Sequence, residues 1–326
     1  MKWVVISTVG KNPGDEFIRV GIGHAIKAVD SKATGSIIDK ESNSIFRPEP
    51  FDRCILAGMP VFWSLDGNNC WTGVKWWKVL ADGWVSNDKR KFAIIGAGSF
   101  QDQTNIFRGV NKERLHKEAS NLNDRSHTII VRDDIVNKTT GMNFDVKVCP
   151  AILATYDLLK TGSINGCNMM PEGAHYGVFS PTEAGIWQSK AQSIAKELLR
   201  NDFKFFSHND NERLFAKHLG WVDKNIIHYT GDTKAFLQHY KNVDKFFGNR
   251  VHGCIVSRAN NADVISCGYD SRQEAVRLSG SKILLPSELD INKFSRWVEN
   301  SDGGKPIDVD NIFDYYKDVL SEFKGE

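Results

Sequence analysis

The sequence predicts an α/β fold with two Rossmann-like parallel-sheet domains that face a cleft. Three observations support this prediction. Short apolar strands alternate with helical patterns in both halves of the chain, a Gly-, Asn- and Ser-rich segment separates the halves, and 326 residues suffice for about two domains. We place the linker at Thr161 to Gly173, which gives domains at 1–165 and 174–326.

Six short apolar runs predict the strands of the first half. They lie at 3–7, 36–39, 54–59, 91–98, 127–131 and 145–148. After the first strand, Pro13 and Gly14 predict a turn, and apolar residues from Phe17 to Val29 recur at helical spacing. The turn lacks the GxGxxG and P-loop lysine patterns, which argues against a dinucleotide or nucleoside triphosphate site there.

The same alternation restarts in the second half. Strands are predicted at 176–180, 203–208, 225–229, 245–247, 262–267 and 283–285, with helices between them and two helices at the end. Because helices connect the strands, each sheet is expected to be parallel. The carboxyl edge of such a sheet is where ligands bind.

Bulk properties exclude several classes of protein. The formal net charge is +2, so neither nucleic acid nor an anionic membrane is implied as a partner. Six cysteines show no metal-ligand spacing and predict free thiols in a reducing compartment. No apolar run reaches the ~20 residues of a membrane span, and the apolar start is too short for a signal peptide. We therefore expect a cytoplasmic protein without a metal site.

The segment Gly248 to Gly253 is the first candidate site. Arg250 and His252 lie in it, between an apolar strand and the start of a helix. An arginine beside a histidine gives a fixed positive fork next to a group that exchanges protons near neutral pH. Together with the helix N-terminus, this arrangement suits a phosphorylated or carboxylated substrate. The alternative is an arginine capped by a surface carboxylate and a histidine bonded to the backbone.

Two further arginines are predicted at strand ends. Arg132 follows the strand that ends at Val131, and Arg272 lies 20 residues after His252, which is one helix plus one strand. Neighbouring parallel strands are about 4.8 Å apart, so Arg250, His252 and Arg272 could face one ligand. Asp15, in the first helical turn of the opposite domain, is either a functional carboxylate or a helix cap.

Two tryptophans flank a polar turn in the first half. Trp63 and Trp71 lie on either side of Asp66 to Asn69. A sugar ring binds through stacking of its C–H face on an aromatic ring and through hydrogen bonds to its hydroxyls. We therefore consider Trp63 and Trp71 candidates for sugar contact.

Several motifs, in the right order from near residue 4 to about 280, resemble the polysaccharide pyruvyl transferase family. These motifs are Asn12-Pro-Gly-Asp15, Ala57-Gly58, Gly96-Ala-Gly-Ser99, Val131-Arg132-Asp133, Asn249-Arg250-Val251-His252 and Gly268-Tyr269-Asp270-Ser271-Arg272. The last two are similar to the family's S-x-R-L-H and S-Y-D-x-K segments. Arg272 stands where the family usually has lysine.

The resemblance implies a two-domain architecture like that of the GT-B glycosyltransferases. It also implies transfer of the enolpyruvyl group of phosphoenolpyruvate onto a sugar or polysaccharide, forming a pyruvate ketal. Phosphoenolpyruvate is then a co-substrate, and no cofactor is required. Arg250, Arg272 and Arg132 would hold the donor, and His252 would be the acid or base. Asp15 would be a base or an acceptor contact, and Asn12 and Gly14, with Trp63 and Trp71, would lie on the acceptor side.

Two other functions stay open from the sequence. A nucleotide-sugar-dependent glycosyltransferase would share the fold, although no acidic ribose-binding residue stands at a convincing position in the second domain. A non-catalytic glycan-binding protein on the same fold is the other alternative. The retained Arg-x-His pattern argues against the latter.

Overall fold

Two six-stranded sheets dominate the structure. The computed structural model of the chain describes residues 1–10, 12–40, 51–59, 61–62, 64–65, 69–70, 92–101, 105–107, 109–170, 181–268, 270–300 and 304–325. The strands are β1 (Lys2–Ser7), β2 (Thr34–Asp39), β3 (Arg53–Ala57), β4 (Ser64–Leu65), β5 (Asn69–Cys70), β6 (Phe92–Ala97), β7 (Thr128–Val131), β8 (Asp145–Val146), β9 (Ile164–Asn168), β10 (Lys204–Ser207), β11 (Ile226–His228), β12 (Val243–Gly248), β13 (Asp263–Cys267) and β14 (Lys282–Leu284).

Helices connect most of these strands. They are α1 (Pro13–Val29), α2 (Lys112–Arg125), α3 (Ile135–Thr140), α4 (Pro181–Arg200), α5 (Asp210–His218), α6 (Thr233–Lys241), α7 (Val251–Arg258), α8 (Glu274–Arg277), α9 (Ile291–Glu299) and α10 (Val309–Lys324). Short 3-10 helices cover Pro150–Thr155, Asp223–Asn225, Ser271–Gln273 and Pro286–Glu288. Among the helices of the described ranges, none combines the length and the apolar character needed to cross a membrane.

Both large sheets are parallel, which confirms the predicted fold class. The first has the strand order β2-β1-β3-β6-β7-β8 and the second β11-β10-β9-β12-β13-β14. The inner strands are buried along almost their whole length, as β6 shows with six buried residues out of six. Continuous apolar runs of this kind are typical of strands covered by helices on both faces.

The boundary between the domains differs from the predicted one. The predicted linker contains β9, an inner strand of the second sheet, paired with both β10 and β12. Its sequence, Ile-Asn-Gly-Cys-Asn, is typical of a loop, but Gly166 has a packing role. A Cβ atom on Gly166 would lie 2.6 Å from the Phe206 ring and 3.0 Å from the Phe246 ring. The predicted strand at 176–180 lies outside the described residues.

The last helix belongs structurally to the first domain. Tyr316 of α10 donates a hydrogen bond to the Val148 carbonyl at 2.6 Å, and Arg53 of β3 donates to the carbonyls of Phe323 and Lys324. The Phe323 ring also meets the Trp3 ring edge-on, with centroids 5.9 Å apart. The chain therefore returns to its first domain at the end, and the predicted second domain of 174–326 is too long.

Glu16 of α1 joins the two domains. Its carboxylate is buried and accepts hydrogen bonds from Tyr229 at 2.6 Å and from Thr233, both in the second domain. It also accepts a hydrogen bond from the Gly10 backbone N–H at 2.9 Å. Burial opposes ionisation, but these hydrogen bonds outweigh it and lower the pKa of Glu16. The ionised carboxylate thus stabilises both the β1–α1 turn and the domain contact.

We expect Glu16→Gln to be destabilised at neutral pH by about 1–3 kcal/mol, the range for hydrogen bonds to a charged group. Because the folded pKa lies below the unfolded value of about 4.3, the difference from wild type is fully present above that value. This difference in stability disappears as the pH falls through the pKa that Glu16 has in the folded protein. Urea unfolding of both proteins between pH 3 and pH 7 measures this, and a difference independent of pH would contradict it.

Candidate functional site

The two sheets present their topological switch points to each other. In the first sheet the strand order reverses between β1 and β3, and in the second between β9 and β12. The turn after β1 leads into α1, where the Asn12 side chain accepts a hydrogen bond from the Gly14 backbone N–H. The turn after β12 leads into α7, with Arg250 as the residue before the helix. Crevices outside such points are where open α/β sheets bind ligands.

His252 connects these two turns. It is the second residue of α7 and is 6% exposed. A Cβ atom on Gly14 would lie only 2.3 Å from its Nδ1 atom, so the first turn of α1 packs directly against the imidazole ring. Glycine at position 14 is therefore required by this approach. The Asn12 to Asp15 turn of the first domain therefore lies against the Arg-x-His segment of the second.

Arg132 contacts the same histidine from the first domain. Its Nη1 atom lies 2.8 Å from His252 Nε2. A guanidinium can only donate, so Nε2 accepts, and the proton of the neutral ring resides on Nδ1, the atom next to Gly14. Arg132 follows β7, at the carboxyl edge of the first sheet, as the sequence predicted.

Arg132 is a buried cation without an ion pair. It is 2% exposed, and among the described residues no carboxylate comes within ion-pair distance of its guanidinium. Its Nε atom is buried and has no hydrogen-bond partner in the described part of the chain. The adjacent Asp133 accepts hydrogen bonds from the backbone of Ser99 and Val136 and interacts with Arg132 electrostatically, without a direct ion pair. An unpaired buried cation is costly, so this position favours an anionic ligand.

Arg250 has a carboxylate partner within its own domain. It forms an ion pair with Glu212, whose side chain is fully buried and also accepts hydrogen bonds from Asn168 at 2.6 Å and from the His208 backbone at 2.8 Å. Burial raises the pKa of Glu212, but the Arg250 charge and these hydrogen bonds outweigh that effect and lower it. The alternative of an arginine capped by a carboxylate is thus found, with a buried instead of a surface carboxylate.

Arg272 is also paired. Its Nε and Nη2 atoms donate to the two oxygens of Asp270 at 2.9 and 2.8 Å, and its guanidinium lies 4.6 Å from the centroid of the Phe100 ring in the first domain. It follows β13 on the same sheet edge as Arg250. Its predicted role in donor binding stays a prediction, since two of its nitrogen atoms are held by Asp270.

The structure leaves the predictions for the remaining site residues open. Asp15 is 7% exposed and lies in the first turn of α1, next to Gly14, so both of its alternatives stay open. Trp63 and Trp71 lie outside the described residues. Among the described residues there is no group of three or more His, Cys, Asp or Glu side chains that could hold a metal ion.

Sequence reasoning missed the buried carboxylates. Glu212 stands three residues after Asn209, which caps α5, and this spacing is typical of a capping box. The local pattern therefore explains the glutamate without reference to Arg250, 38 residues further along the chain. Glu16 is likewise explained locally, as an acidic residue in the first turn of α1. In both cases the carboxylate contacts residues that are distant in sequence, and no local sequence pattern indicates such a contact.

Comparisons with known proteins identify the fold but no family. No family model matches the chain, and no curated protein does. A putative UDP-N-acetylglucosamine 2-epimerase from Listeria monocytogenes is similar in structure, with a TM-score of 0.57 and 11% identity over 99% of this chain and 97% of that one. The UDP-GlcNAc 2-epimerase of Methanocaldococcus jannaschii, in complex with UDP-GlcNAc and UDP, gives a TM-score of 0.55 at 12% identity over 99% and 100%.

A third structure agrees with these two. The UDP-GlcNAc 2-epimerase of Neisseria meningitidis bound to UDP-GlcNAc has a TM-score of 0.52 and 10% identity over 99% of both chains. The similarity thus extends over both domains and confirms the expected GT-B-like arrangement. At such low identity it establishes the fold alone.

We expect Gly14→Ala to displace the His252 ring without unfolding the protein, because the new Cβ would meet Nδ1 at 2.3 Å. Gly23→Ala in the same helix is the matched control, since a Cβ there meets nothing within 4 Å and alanine favours a helix by up to ~1 kcal/mol. Histidine ring NMR shifts report the displacement. Unchanged His252 shifts in Gly14→Ala would contradict the packing described.

Breaking the buried ion pair should be far more damaging than breaking an exposed one. Glu212→Gln removes the buried carboxylate that pairs with Arg250, and breaking a buried ion pair costs about 3–5 kcal/mol. Asp223→Asn removes the exposed partner of Arg213 and should leave stability unchanged. Urea unfolding of the two variants compares them, and equal effects would show that the Glu212 contact contributes little.

Proposed function

We propose that the protein transfers a group from a small anionic donor to a sugar, and that the donor is phosphoenolpyruvate. The observation that carries this proposal is the buried, unpaired Arg132 in contact with His252 between the two switch points. A cation and a proton-transfer group then face the same ligand. The resemblance of the Arg-x-His and Val-Arg-Asp segments to polysaccharide pyruvyl transferases supports the same donor.

The chemistry makes defined demands on the site. The methylene carbon of phosphoenolpyruvate accepts a proton, and a sugar hydroxyl adds to the cation-like C2 as its proton is removed. The C–O bond to phosphate then breaks, and a second hydroxyl adds to C2 and gives up its proton. The products are a pyruvate ketal and inorganic phosphate. The reaction therefore needs cationic anchors, one general acid and one base.

The side chains supply these groups as follows. Arg132 binds an anionic group of the donor, which frees His252 Nε2 from the guanidinium. His252 then takes up a second ring proton, and the imidazolium delivers it to the methylene carbon. Asp15 follows Gly14, whose backbone packs against the His252 ring, and is the candidate base toward the sugar hydroxyl. Arg250 and Arg272 hold a second anionic group of the donor from the second domain, each oriented by its own carboxylate.

The width of the site supports a small donor. His252 touches both Arg132 and Gly14 across the cleft, and the hydroxyls of Ser99 and Ser271 lie 2.9 Å apart. The domain edges thus touch each other at two places, His252 and the Ser99–Ser271 pair. A three-carbon donor requires less separation of these edges than a nucleoside diphosphate sugar does.

A second candidate function is a nucleotide-sugar-dependent enzyme, as the sequence also allowed. The observation that favours it is the full-length similarity to epimerases crystallised with UDP-GlcNAc. In this candidate function, the cleft between the two sheet edges binds a nucleoside diphosphate sugar. A non-catalytic glycan-binding protein would need neither His252 nor Arg132.

Calorimetric titration with phosphoenolpyruvate, UDP and UDP-GlcNAc separates these functions. We expect phosphoenolpyruvate to bind, and Arg132→Met to abolish the binding because the unpaired cation is lost. Arg213→Met, at an exposed ion pair, is the matched control and should bind as wild type does. Binding of UDP without phosphoenolpyruvate would favour the second candidate. Binding of neither would contradict both enzyme functions.

His252→Ala should keep donor binding and lose turnover by ~10²–10⁴, the usual contribution of a positioned acid or base. Release of inorganic phosphate from phosphoenolpyruvate in the presence of a sugar acceptor measures the turnover. Asn260→Ala, which removes side-chain hydrogen bonds to the Tyr240 and Val256 carbonyls just after the same helix, controls for structural damage that leaves His252 in place. Near-wild-type turnover in His252→Ala would exclude the acid or base role.

A further inference from the structure

A closed circuit of contacts surrounds the proposed site. From the first domain, Arg132 contacts His252 through Nη1, and a Cβ on Gly98 would lie 2.5 Å from Arg132 Nε. Three residues after Gly98, the backbone of Gln101 exchanges hydrogen bonds with Ser271 of the second domain, at 2.8 and 2.9 Å. These contacts form the first-domain half of the circuit.

The second domain closes the circuit. Ser271 and Gln273 belong to the same 3-10 helix after β13. The Gln273 side chain donates from Nε2 to the Asn249 carbonyl at 3.0 Å, and Asn249 leads through Arg250 back to His252. We call Gly98, Gln101, Arg132, Asn249, His252, Ser271 and Gln273 the cross-domain ring. It joins the carboxyl edges of the two sheets.

Two amide side chains of the cross-domain ring have unpaired polar atoms. Asn249 is 1% exposed, and within the described part of the chain neither its Nδ2 nor its Oδ1 atom has a hydrogen-bond partner. Gln101, from the opposite domain, is also 1% exposed, and its Nε2 atom has no partner among the described residues. Buried polar groups are nearly always satisfied, so these exceptions require an explanation.

The chemistry of the unpaired atoms indicates a hydroxyl. Asn249 offers both a donor and an acceptor, and a hydroxyl group can satisfy both because it accepts and donates. An anion could accept from Nδ2 but would leave Oδ1 unpaired beside a negative charge. A cation could bind Oδ1 but would leave Nδ2 unpaired, because a cation does not accept a hydrogen bond. The unpaired Arg132 Nε, by contrast, is a donor only and suits the anionic donor substrate.

We propose that Asn249 and Gln101 bind hydroxyl groups of the acceptor sugar, one from each side of the closed cleft. The assignment builds on the proposed function and adds the acceptor subsite to it. The amides lie on the same ring as Arg132 and His252, so a sugar held by them presents its hydroxyls to the donor. Without a sugar the amides stay unsatisfied, so the subsite lowers the stability of the ligand-free protein.

Apolar replacements of similar shape test this proposal. Asn249→Leu and Gln101→Met should raise the melting temperature of the ligand-free protein, because each removes an unsatisfied polar group. The matched controls are Asn168→Leu and Gln273→Met. These buried amides have partners, Asn168 on Phe206 and Glu212, and Gln273 on Ser266 and Asn249. The controls should lower the melting temperature. Lower melting temperatures for Asn249→Leu and Gln101→Met would overturn the proposal.

Sugar binding gives the second readout. Galactose, mannose, glucose and N-acetylglucosamine are titrated into each protein at millimolar concentration, with and without phosphoenolpyruvate, and followed by thermal shift. We expect at least one sugar to stabilise the wild type, and Asn249→Leu to weaken it about tenfold or more, the equivalent of one lost hydrogen bond of about 1.4 kcal/mol. Binding of phosphoenolpyruvate should stay unchanged in this variant.

The outcomes separate the two proposals. Sugar binding that depends on Asn249 and Gln101 supports the subsite even if phosphoenolpyruvate fails to bind and the donor assignment falls. Sugar binding that is equal in wild type and Asn249→Leu overturns the subsite while leaving the donor assignment intact. Absence of any sugar-induced shift in the wild type, with or without phosphoenolpyruvate, also overturns it.

Discussion

The contact between Arg132 and His252 is the constraint on which the rest of the site depends. Each residue follows a strand of a different sheet, so the pair exists only when both carboxyl edges face each other at short range. Gly14 must then be a glycine, because the ring lies against its backbone. The contact also places the unpaired guanidinium away from water, where an electrostatic interaction with an anion is stronger than at the surface.

The three arginines differ in how their charge is balanced. Arg250 and Arg272 each have a buried carboxylate in the same domain, so their side chains are fixed before any ligand binds. Arg132 has no direct ion-pair partner among the described residues, and the adjacent Asp133 acts on it only through a longer-range electrostatic interaction. This division is consistent with a site in which two arginines define geometry and one supplies most of the attraction for an anion. Orientation by a buried carboxylate also limits the rotamer entropy that ligand binding must overcome.

The sequence was sufficient to predict which residues lie at the ends of the strands, but not which residues their side chains contact. Arg132, Arg250, His252 and Arg272 were all placed correctly at carboxyl edges, because hydrophobic runs and Gly-rich turns are local signals. The pairing of Arg250 with Glu212 is invisible locally, since capping already explains the glutamate. Strand β9 was missed because its composition is typical of a loop. Phe206 and Phe246, which pack over Gly166 and stabilise the strand, belong to strands that are distant in sequence. The return of α10 to the first domain rests on similar long-range contacts.

Which ligand such a cleft binds is determined by a few side chains and not by the fold. Chains only 10–12% identical share this two-domain arrangement over nearly their full length, so the sheets and their switch points tolerate almost complete replacement of the sequence. What such a scaffold fixes is the position of the strand ends. The ligand that binds there depends on residues such as Arg132, Asn249 and Gln101. Their side chains have buried hydrogen-bond donors and one acceptor without partners among the described residues, and a ligand must supply the matching groups. A donor-only group favours an anion and an amide favours a hydroxyl, so a site containing both is suited to a reaction between an anionic donor and a sugar.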